Sequence, residues 1–345
     1  MSSGISYSPS VNQPQYYVVQ PQKKDAKPTI IQSGVGVASG VAAYKGSNFL
    51  ARLCGFSIPH KKVMEIGKSL NQNQIKAFED NTANVYLKSG LKDKGVEIFD
   101  AGKISFDEYW KLSKEKAVKF VEDGPFIRTF CKFFREKYGE KIYKDEIKKY
   151  WETVLCREYK TAYNTAIKGL NAFFSPFNNT IVYNKKSPML ISLPHEMGHA
   201  INFNNNGIMR KLHFLKMGGL FVPLLMLPTV LLKNKKQEGE QTTGIFDKIT
   251  TFIKDNCGKL TFLTFLPKLI EEASASIRGT NLSKEFLSKE NIKTLKKFYS
   301  WAWLTYLGSA VIASLGVTLA SKVTDAMKEH YRNQNNKEIQ KGQIA

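Results

Sequence analysis

The chain has 345 residues, 42% of them apolar, so it can bury the core of one large or two ordinary domains and is not disordered overall. It carries 51 lysines and arginines against 30 acidic residues, and this formal charge of +21 indicates either nucleic acid or an anionic membrane as a neighbour. No basic run is interleaved with stacking aromatics, whereas long uncharged segments are present. The composition therefore favours membrane lipids and argues against nucleic acid as a partner.

The N-terminal part is predicted to contribute little to a core. Residues 1–28 are rich in Ser, Gln, Pro and Tyr and lack the pattern of a cleaved signal peptide, so a flexible tail is expected. Residues 29–60 form a mildly apolar segment rich in Gly, Ala and Val. The four cysteines are widely spaced with no C-x-x-C pair, which predicts buried thiols in a reducing compartment.

Residues 61–169 are charged and amphipathic, with apolar residues at helical spacing, and predict a soluble helical region. Within it, residues 97–108 are interpreted as a joint between two helices. The many lysines of this region are expected to form a solvated face that can rest on anionic lipid.

A short strand is predicted after the turn-rich stretch 175–179, because β-branched residues follow one another there. Its members are Thr180, Ile181, Val182 and Tyr183. Coming twelve residues before the motif at 195–199, this strand is placed to bind an extended peptide substrate through main-chain hydrogen bonds, as an edge strand. The alternative is an ordinary structural hairpin.

The most informative stretch is His195-Glu196-Met197-Gly198-His199. Two histidines four positions apart lie on one face of a helix, so both rings can reach one Zn²⁺, and Glu196 between them can act as the general base for an attacking water. Pro194 predicts that the helix begins near Ser192. The pattern is typical of a zinc hydrolase, and the alternative is a helix that carries two histidines by chance.

Apolar segments follow the motif. Residues 214–232 and 260–270 are short and interrupted by prolines, and together they predict a membrane hairpin over about residues 214–270. Residues 299–321 contain no charged side chain and begin with Trp and Tyr residues, which predicts a transmembrane helix with an aromatic belt. Residues 322–345 are expected to be a polar C-terminal tail.

A third zinc ligand is predicted from the pair Glu271-Glu272. The helical face of Glu272 also carries Ala275, Ser276 and Gly279, all small, so this face can approach the motif helix closely. Glu272 is therefore favoured, and Glu271 remains the alternative. A hairpin between the motif and residue 272 returns both helices to the same side of a membrane, as a shared metal requires.

At this point the chain resembles the gluzincin-type membrane zinc metallopeptidases, the family of CAAX prenyl proteases and bacterial heat-shock membrane proteases. The resemblance covers residues 165–320. It rests on Asn171-Ala172-Phe173 before a strand, on His195 to His199, on the apolar segments after them, and on Glu272-x-x-Ala275-Ser276. It implies that His195, His199 and Glu272 bind zinc and that Glu196 activates water. The family often has Asp where this chain has Ser276.

The expected protein is mostly α with a small β-hairpin, a zincin-like metallopeptidase core (170–298) fused to membrane helices. It is expected to be an integral, multi-pass membrane protein that hydrolyses a peptide or protein substrate with Zn²⁺. The basic region before the first apolar segment places the catalytic face on the cytoplasmic side. Two alternatives stay open: a non-catalytic membrane scaffold or lipid-binding protein with a vestigial or structural zinc site, and a soluble zinc hydrolase whose apolar segments are core.

Overall fold

A computed structural model describes residues 34, 36, 38, 57–124, 127–219, 222–236 and 239–342. Helices dominate these residues, and three short strands form one sheet. The helices are α1 (Ser57–Ser69), α2 (Gln72–Lys88), α3 (Phe106–Glu122), α4 (Ile127–Ile142), α5 (Lys149–Ile167), α6 (Leu193–Asn205), α7 (Gly207–Gly219), α8 (Val222–Leu232), α9 (Ile245–Asp255), α10 (Cys257–Ser283) and α11 (Lys289–Gly342). A π-helical turn, Tyr143–Lys148, joins α4 to α5, and a 3-10 turn, Pro188–Ser192, precedes α6. The mostly helical class is confirmed; the predicted tail at 1–28 and nearly all of 29–60 lie outside the described residues.

The sheet contains the predicted hairpin and one strand that the sequence did not reveal. Strands β2 (Phe173–Ser175) and β3 (Thr180–Tyr183) pair antiparallel, while β1 (Glu97–Asp100) pairs parallel with β3, so the order is β1-β3-β2. The interpretation of residues 97–108 as a joint between helices is therefore wrong at its start. Because β3 has a partner on each side, Thr180, Ile181, Val182 and Tyr183 do not form an edge strand.

The sheet separates two apolar clusters, as the alternation of side chains along a strand requires. Ile181 belongs to a cluster with residues of α1, α2, α6 and the start of α11, including Val63, Phe78 and Met197. Val182 belongs to the other cluster, on α3 and α5, where tyrosines dominate. The predicted helical region 61–169 therefore shares its core with the predicted zincin-like region 170–298.

The longest helix, α11, contains the predicted transmembrane segment 299–321 and has 54 residues, about 81 Å at 1.5 Å per residue. Among the described residues it is the one helix long and apolar enough to cross a membrane, and only 28% of its most apolar window is buried. The predicted hairpin corresponds to α7, α8 and the first half of α10. Helices α7 and α8 have only 13 and 11 residues, and the 27-residue α10 is not apolar enough to meet the same criterion. The predicted C-terminal tail continues α11 as helix to Gly342.

Three cysteines, Cys131, Cys156 and Cys257, are free thiols, and two of them are buried. Cys54 lies outside the described residues. The described thiols agree with the expectation of unpaired cysteines.

Candidate metal centre

The helix that carries the motif begins where the sequence predicted. The preceding 3-10 turn ends at Ser192, α6 starts at Leu193, and Pro194 occupies the first turn, where its missing N–H costs nothing. The Nε2 atoms of His195 and His199, one helical turn apart, lie 3.0 Å from each other. Both rings therefore present their Nε2 atoms to a common point.

A close helix contact brings the third group to that point. A Cβ on Gly198 of α6 would lie 2.7 Å from the carbonyl oxygen of Ala275, and a Cβ on Gly279 of α10 would lie 2.7 Å from the Cα of His195. Since real Cβ atoms essentially never approach main-chain atoms so closely, only glycine fits at both places. The small-residue face predicted for α10 is confirmed, and it lets the backbones of α6 and α10 approach each other.

The carboxylate of Glu272 completes a triangle with the two histidines. Its Oε2 lies 3.6 Å from each Nε2, and the histidine Nε2 atoms lie 3.0 Å apart. A point equidistant from all three atoms in their plane lies about 2.0 Å from each, which is the Zn–N and Zn–O bond length. The donor set of two imidazoles and one carboxylate, with a fourth direction left over, fits a zinc ion of the catalytic type.

The side chain of Glu271 points away from the triangle and forms a hydrogen bond with His199. It forms a short hydrogen bond with the Nδ1 of His199, and its Oε1 also lies 3.3 Å from the Nδ1 of His213. Its Oε2 accepts a 2.6 Å hydrogen bond from the Nζ of Lys216. A carboxylate on Nδ1 fixes the tautomer whose Nε2 carries the lone pair for a metal. Glu272 is therefore the candidate metal ligand, and Glu271 is the residue that orients His199.

This arrangement also bears on the position where the resembling family often has Asp. Ser276 lies with its Oγ 3.5 Å from the Nδ1 of His195, at the outer limit of hydrogen bonding. The strong carboxylate support in this chain comes instead from Glu271 and goes to His199. Neither His213 nor Lys216 was identified from the sequence, because both belong to α7, whose packing against α10 has no local signature.

The charges of the cluster are strongly coupled. Burial lowers the pKa of the His199 imidazole, but the carboxylates of Glu271 and Glu272 more than offset this and raise that pKa to about 10. Burial raises the pKa of both carboxyl groups, yet the neighbouring histidines and Lys216 outweigh it and lower the two pKa values below the usual range. The centre thus has two carboxylates that attract a cation, and a metal ion bound there would take the place of a proton.

Glu196 lies on α6, as the two histidines do, but its side chain is directed towards strand β2 of the sheet. Its Oε2 accepts a 2.8 Å hydrogen bond from the backbone N–H of Phe174 on β2. The residue is only 7% exposed, and burial raises the pKa of its carboxyl group against the opposing effect of His199 and His195. A carboxylate with a raised pKa, fixed by a main-chain donor, has the properties of a general base.

The predicted substrate strand is corrected here. Thr180, Ile181 and Val182 are fully buried, and the backbone of β3 is paired on both sides, so Thr180 to Tyr183 cannot add a peptide by strand pairing. The edge strands of the sheet are β1 and β2, and β2 runs beside the start of α6. There Ser192 accepts a 3.0 Å hydrogen bond from the N–H of Ala172, two residues before the bond between Phe174 and Glu196.

A cavity of about 220 Å³ adjoins the triangle. Its walls come from Leu170 and Asn171 before β2, from the 3-10 turn, from His195, Glu272 and Ser276, and from the apolar helix α11. Aromatic side chains of α11 dominate that last wall, namely Phe298, Tyr299, Trp303 and Tyr306. The cavity therefore lies between the metal centre and the beginning of the predicted transmembrane segment.

Tyr299 is the most informative of these aromatics. Its ring stacks on the imidazole of His195 at 5.0 Å between centroids, and its buried hydroxyl has no hydrogen-bond partner among the residues that the structure describes. The sequence placed this stretch in an aromatic belt at a membrane surface. Tyr299, at the start of that stretch, lies against the candidate metal centre, and the indole N–H of Trp303 donates a 2.9 Å hydrogen bond to the carbonyl of Leu269 on α10.

Comparison with known proteins finds no relative of this chain. No protein-family model, no curated protein and no solved structure matches the chain. The candidate centre therefore has to be interpreted from its own residues.

Proposed function

We propose that this protein is a membrane-bound zinc metallopeptidase. The observation that carries the proposal is the triangle of His195, His199 and Glu272, whose size matches zinc and which has Glu196 on the same helix. His195, His199 and Glu272 would hold the metal. A zinc ion in such a site supplies a Lewis acid that makes water more acidic and polarises a peptide carbonyl.

The residues around the triangle have separate tasks in this mechanism. Glu196 takes the proton of the attacking water and passes it to the leaving amine, and the N–H of Phe174 keeps its carboxylate in place. Glu271 orients His199. The hydroxyl of Tyr299, which has no partner within the described part of the chain, would donate a hydrogen bond to the carbonyl oxygen of the substrate as negative charge develops on that oxygen.

Peptide substrates of this enzyme enter through the aromatic cavity between β2 and α11. Leu170 and Asn171 lead into the edge strand β2 on one side, and α11 provides an apolar wall on the other. Because Ser192 and Glu196 already accept from the outward N–H groups of Ala172 and Phe174, the walls of the cavity rather than strand pairing would hold the substrate. The substrate class that suits such walls is an apolar peptide segment near a membrane surface.

Anchoring in the membrane is the second part of the proposal. Along α11, Leu304, Val311, Leu315 and Leu319 are 42–61% exposed, which water would not favour for a row of large apolar side chains. We extend the proposed anchoring to the predicted hairpin at residues 214–270, because α8 and α10 pack beside α11, and the proposed protein is then multi-pass. The basic helices of residues 57–167 would lie at the same membrane face as the metal centre.

The test is the zinc content and turnover of the purified full-length chain. Wild type and Glu196→Gln bind about one zinc per chain, while His199→Ala and Glu272→Ala bind almost none. Glu196→Gln loses about 10²- to 10⁴-fold in cleavage of a peptide library followed by mass spectrometry. A wild type without metal refutes the proposal. A wild type that binds zinc and cleaves nothing supports the alternative, a scaffold with a structural zinc site.

A further inference from the structure

Helix α9, residues 245–255, carries four of its five large apolar side chains on the outside, while Ile253 packs against an inner cluster around Val230. Ile245 and Phe246 are 80% and 81% exposed, and Ile249 and Phe252 are 51% and 58% exposed. At 100° per residue, these four side chains fall on one continuous side of the helix. This stretch lies between the two apolar segments, 214–232 and 260–270, of the predicted hairpin.

The opposite side of α9 is polar and faces the protein. Asp247 forms ion pairs with Lys233 and with Lys236, the latter at 2.6 Å. Lys254 is only 6% exposed, lies 2.8 Å from the carboxylate of Asp325, and donates to the carbonyl of Val230 at 2.6 Å. A surface helix of a water-soluble protein has the reverse arrangement, with apolar residues inward and charges outward.

The position of α9 explains this inversion. Contacts from both of its ends reach the short stretch of chain from Val230 to Lys233 at the end of α8, and Lys254 also reaches Asp325 on α11. Asp325 follows Tyr299 by 26 residues of continuous helix, about 39 Å along α11. That distance is close to the full thickness of a bilayer including its headgroups. The metal centre and α9 therefore lie at opposite ends of the apolar segment.

The surroundings of α9 suit a lipid surface. The exposed apolar row of α11 reaches Leu315 and Leu319, a few residues before Asp325, so apolar surface extends towards the level of α9. Exposed lysines lie at the same level, Lys235 and Lys248 beside or on α9 and Lys322 on α11. Apolar side chains flanked by lysines are the composition by which amphipathic helices bind anionic membranes.

We propose that α9 is an interfacial membrane helix. Its outward side chains Ile245, Phe246, Ile249 and Phe252 insert among the acyl chains at the membrane face opposite the metal centre, and the neighbouring lysines contact anionic headgroups. The inference rests on the membrane anchoring in the proposed function and extends it to a segment with no transmembrane character.

The test uses an environment-sensitive fluorescent label, attached at two positions within α9 and at one control position before it. In a full-length, cysteine-free background, Phe246→Cys and Ile249→Cys are labelled with bimane, and Gln241→Cys, exposed before α9, is the matched control. The proteins are reconstituted into vesicles of phosphatidylcholine and phosphatidylglycerol. Quenching is measured with a nitroxide-labelled lipid and with aqueous iodide, and the zinc content and carbonate-resistant flotation of each variant are recorded.

We expect the label at residues 246 and 249 to be quenched by the lipid and protected from iodide about tenfold relative to residue 241. Iodide quenching equal to that at residue 241 overturns the inference, because α9 then faces water. Protection from both quenchers also overturns it and indicates a protein partner or a second copy. Loss of flotation refutes the membrane anchoring itself, whereas normal flotation and zinc content with a water-exposed residue 246 refute only the role of α9.

Discussion

Glu271→Gln offers the sharpest perturbation of the metal centre, because it keeps the size of a side chain that is 1% exposed and removes only its charge. The carboxylate supports His199 and also binds the Nζ of Lys216 at 2.6 Å, while that Nζ lies 3.7 Å from the Oε1 of Glu272. In the variant, Lys216 loses its nearer anion. We expect it to turn to Glu272 and to compete with the metal for that carboxylate.

Two effects therefore add up in this variant. Loss of a carboxylate behind a metal-binding histidine typically weakens metal affinity about 10- to 100-fold, or about 1.4 to 2.8 kcal/mol. Competition from Lys216 places Glu271→Gln at the upper end of that range. Removing the lysine as well, in Glu271→Gln with Lys216→Met, should recover part of the loss, so the two substitutions are not additive.

The assay is competition for zinc between the purified full-length protein and a fluorescent chelator of known affinity. Ser276→Ala is the matched control, because its hydroxyl is 3.5 Å from His195 and should contribute less than about threefold. Zinc affinity within about twofold of wild type in Glu271→Gln would refute the role given to Glu271. A double variant weaker than the single variant would refute the competition by Lys216.

Three further outcomes follow from the same geometry. Gly279→Ala places a Cβ 2.7 Å from the Cα of His195, so it should lower stability by about 1 to 3 kcal/mol and reduce the amount of bound zinc. Thermal unfolding and metal analysis measure the two effects. Gly308→Ala, whose Cβ would meet nothing within 4 Å, is the control and should be neutral. Tyr299→Phe should keep its zinc and lower kcat more than it changes KM; unchanged turnover would exclude its hydroxyl from the reaction. Trp303→Phe should lower stability by about 1 kcal/mol, because the hydrogen bond to the carbonyl of Leu269 on α10 is lost. An unchanged unfolding midpoint would contradict a stabilising role for this hydrogen bond.

The parts of the centre that were predictable are those set by helical periodicity. His195 and His199 share a face because they are four positions apart, and the small residues after Glu272 indicate a close helix contact whatever the partner helix is. The roles of the adjacent glutamates became separable because successive residues on a helix point about 100° apart. Only the packing of α7 against α10 reveals that one of those directions contains His213 and Lys216.

The sheet was less predictable for a related reason. Strand β1 has four residues, all of intermediate burial, and its partner lies more than 80 positions away, so no local pattern marks it. Because β1 cannot be recognised from the sequence, the β-branched run at 180–183 has only one predicted neighbour, and the sequence predicts an edge strand. Alternation indicates that a strand has two faces, but not how many neighbours it has.

The metal triangle also has a mechanical consequence for the chain. Glu272 follows His199 by 73 positions, and the segment between them contains α7, α8 and α9. A zinc ion bound to both residues closes this segment into a loop, as a disulfide would, and restricts the unfolded chain by an amount on the order of 4 kcal/mol. Chelation then releases the whole segment from one of its two attachment points. In the proposed zinc-bound protein, removal of the metal would therefore make the chain between His199 and Glu272 easier to unfold locally and more susceptible to proteolysis.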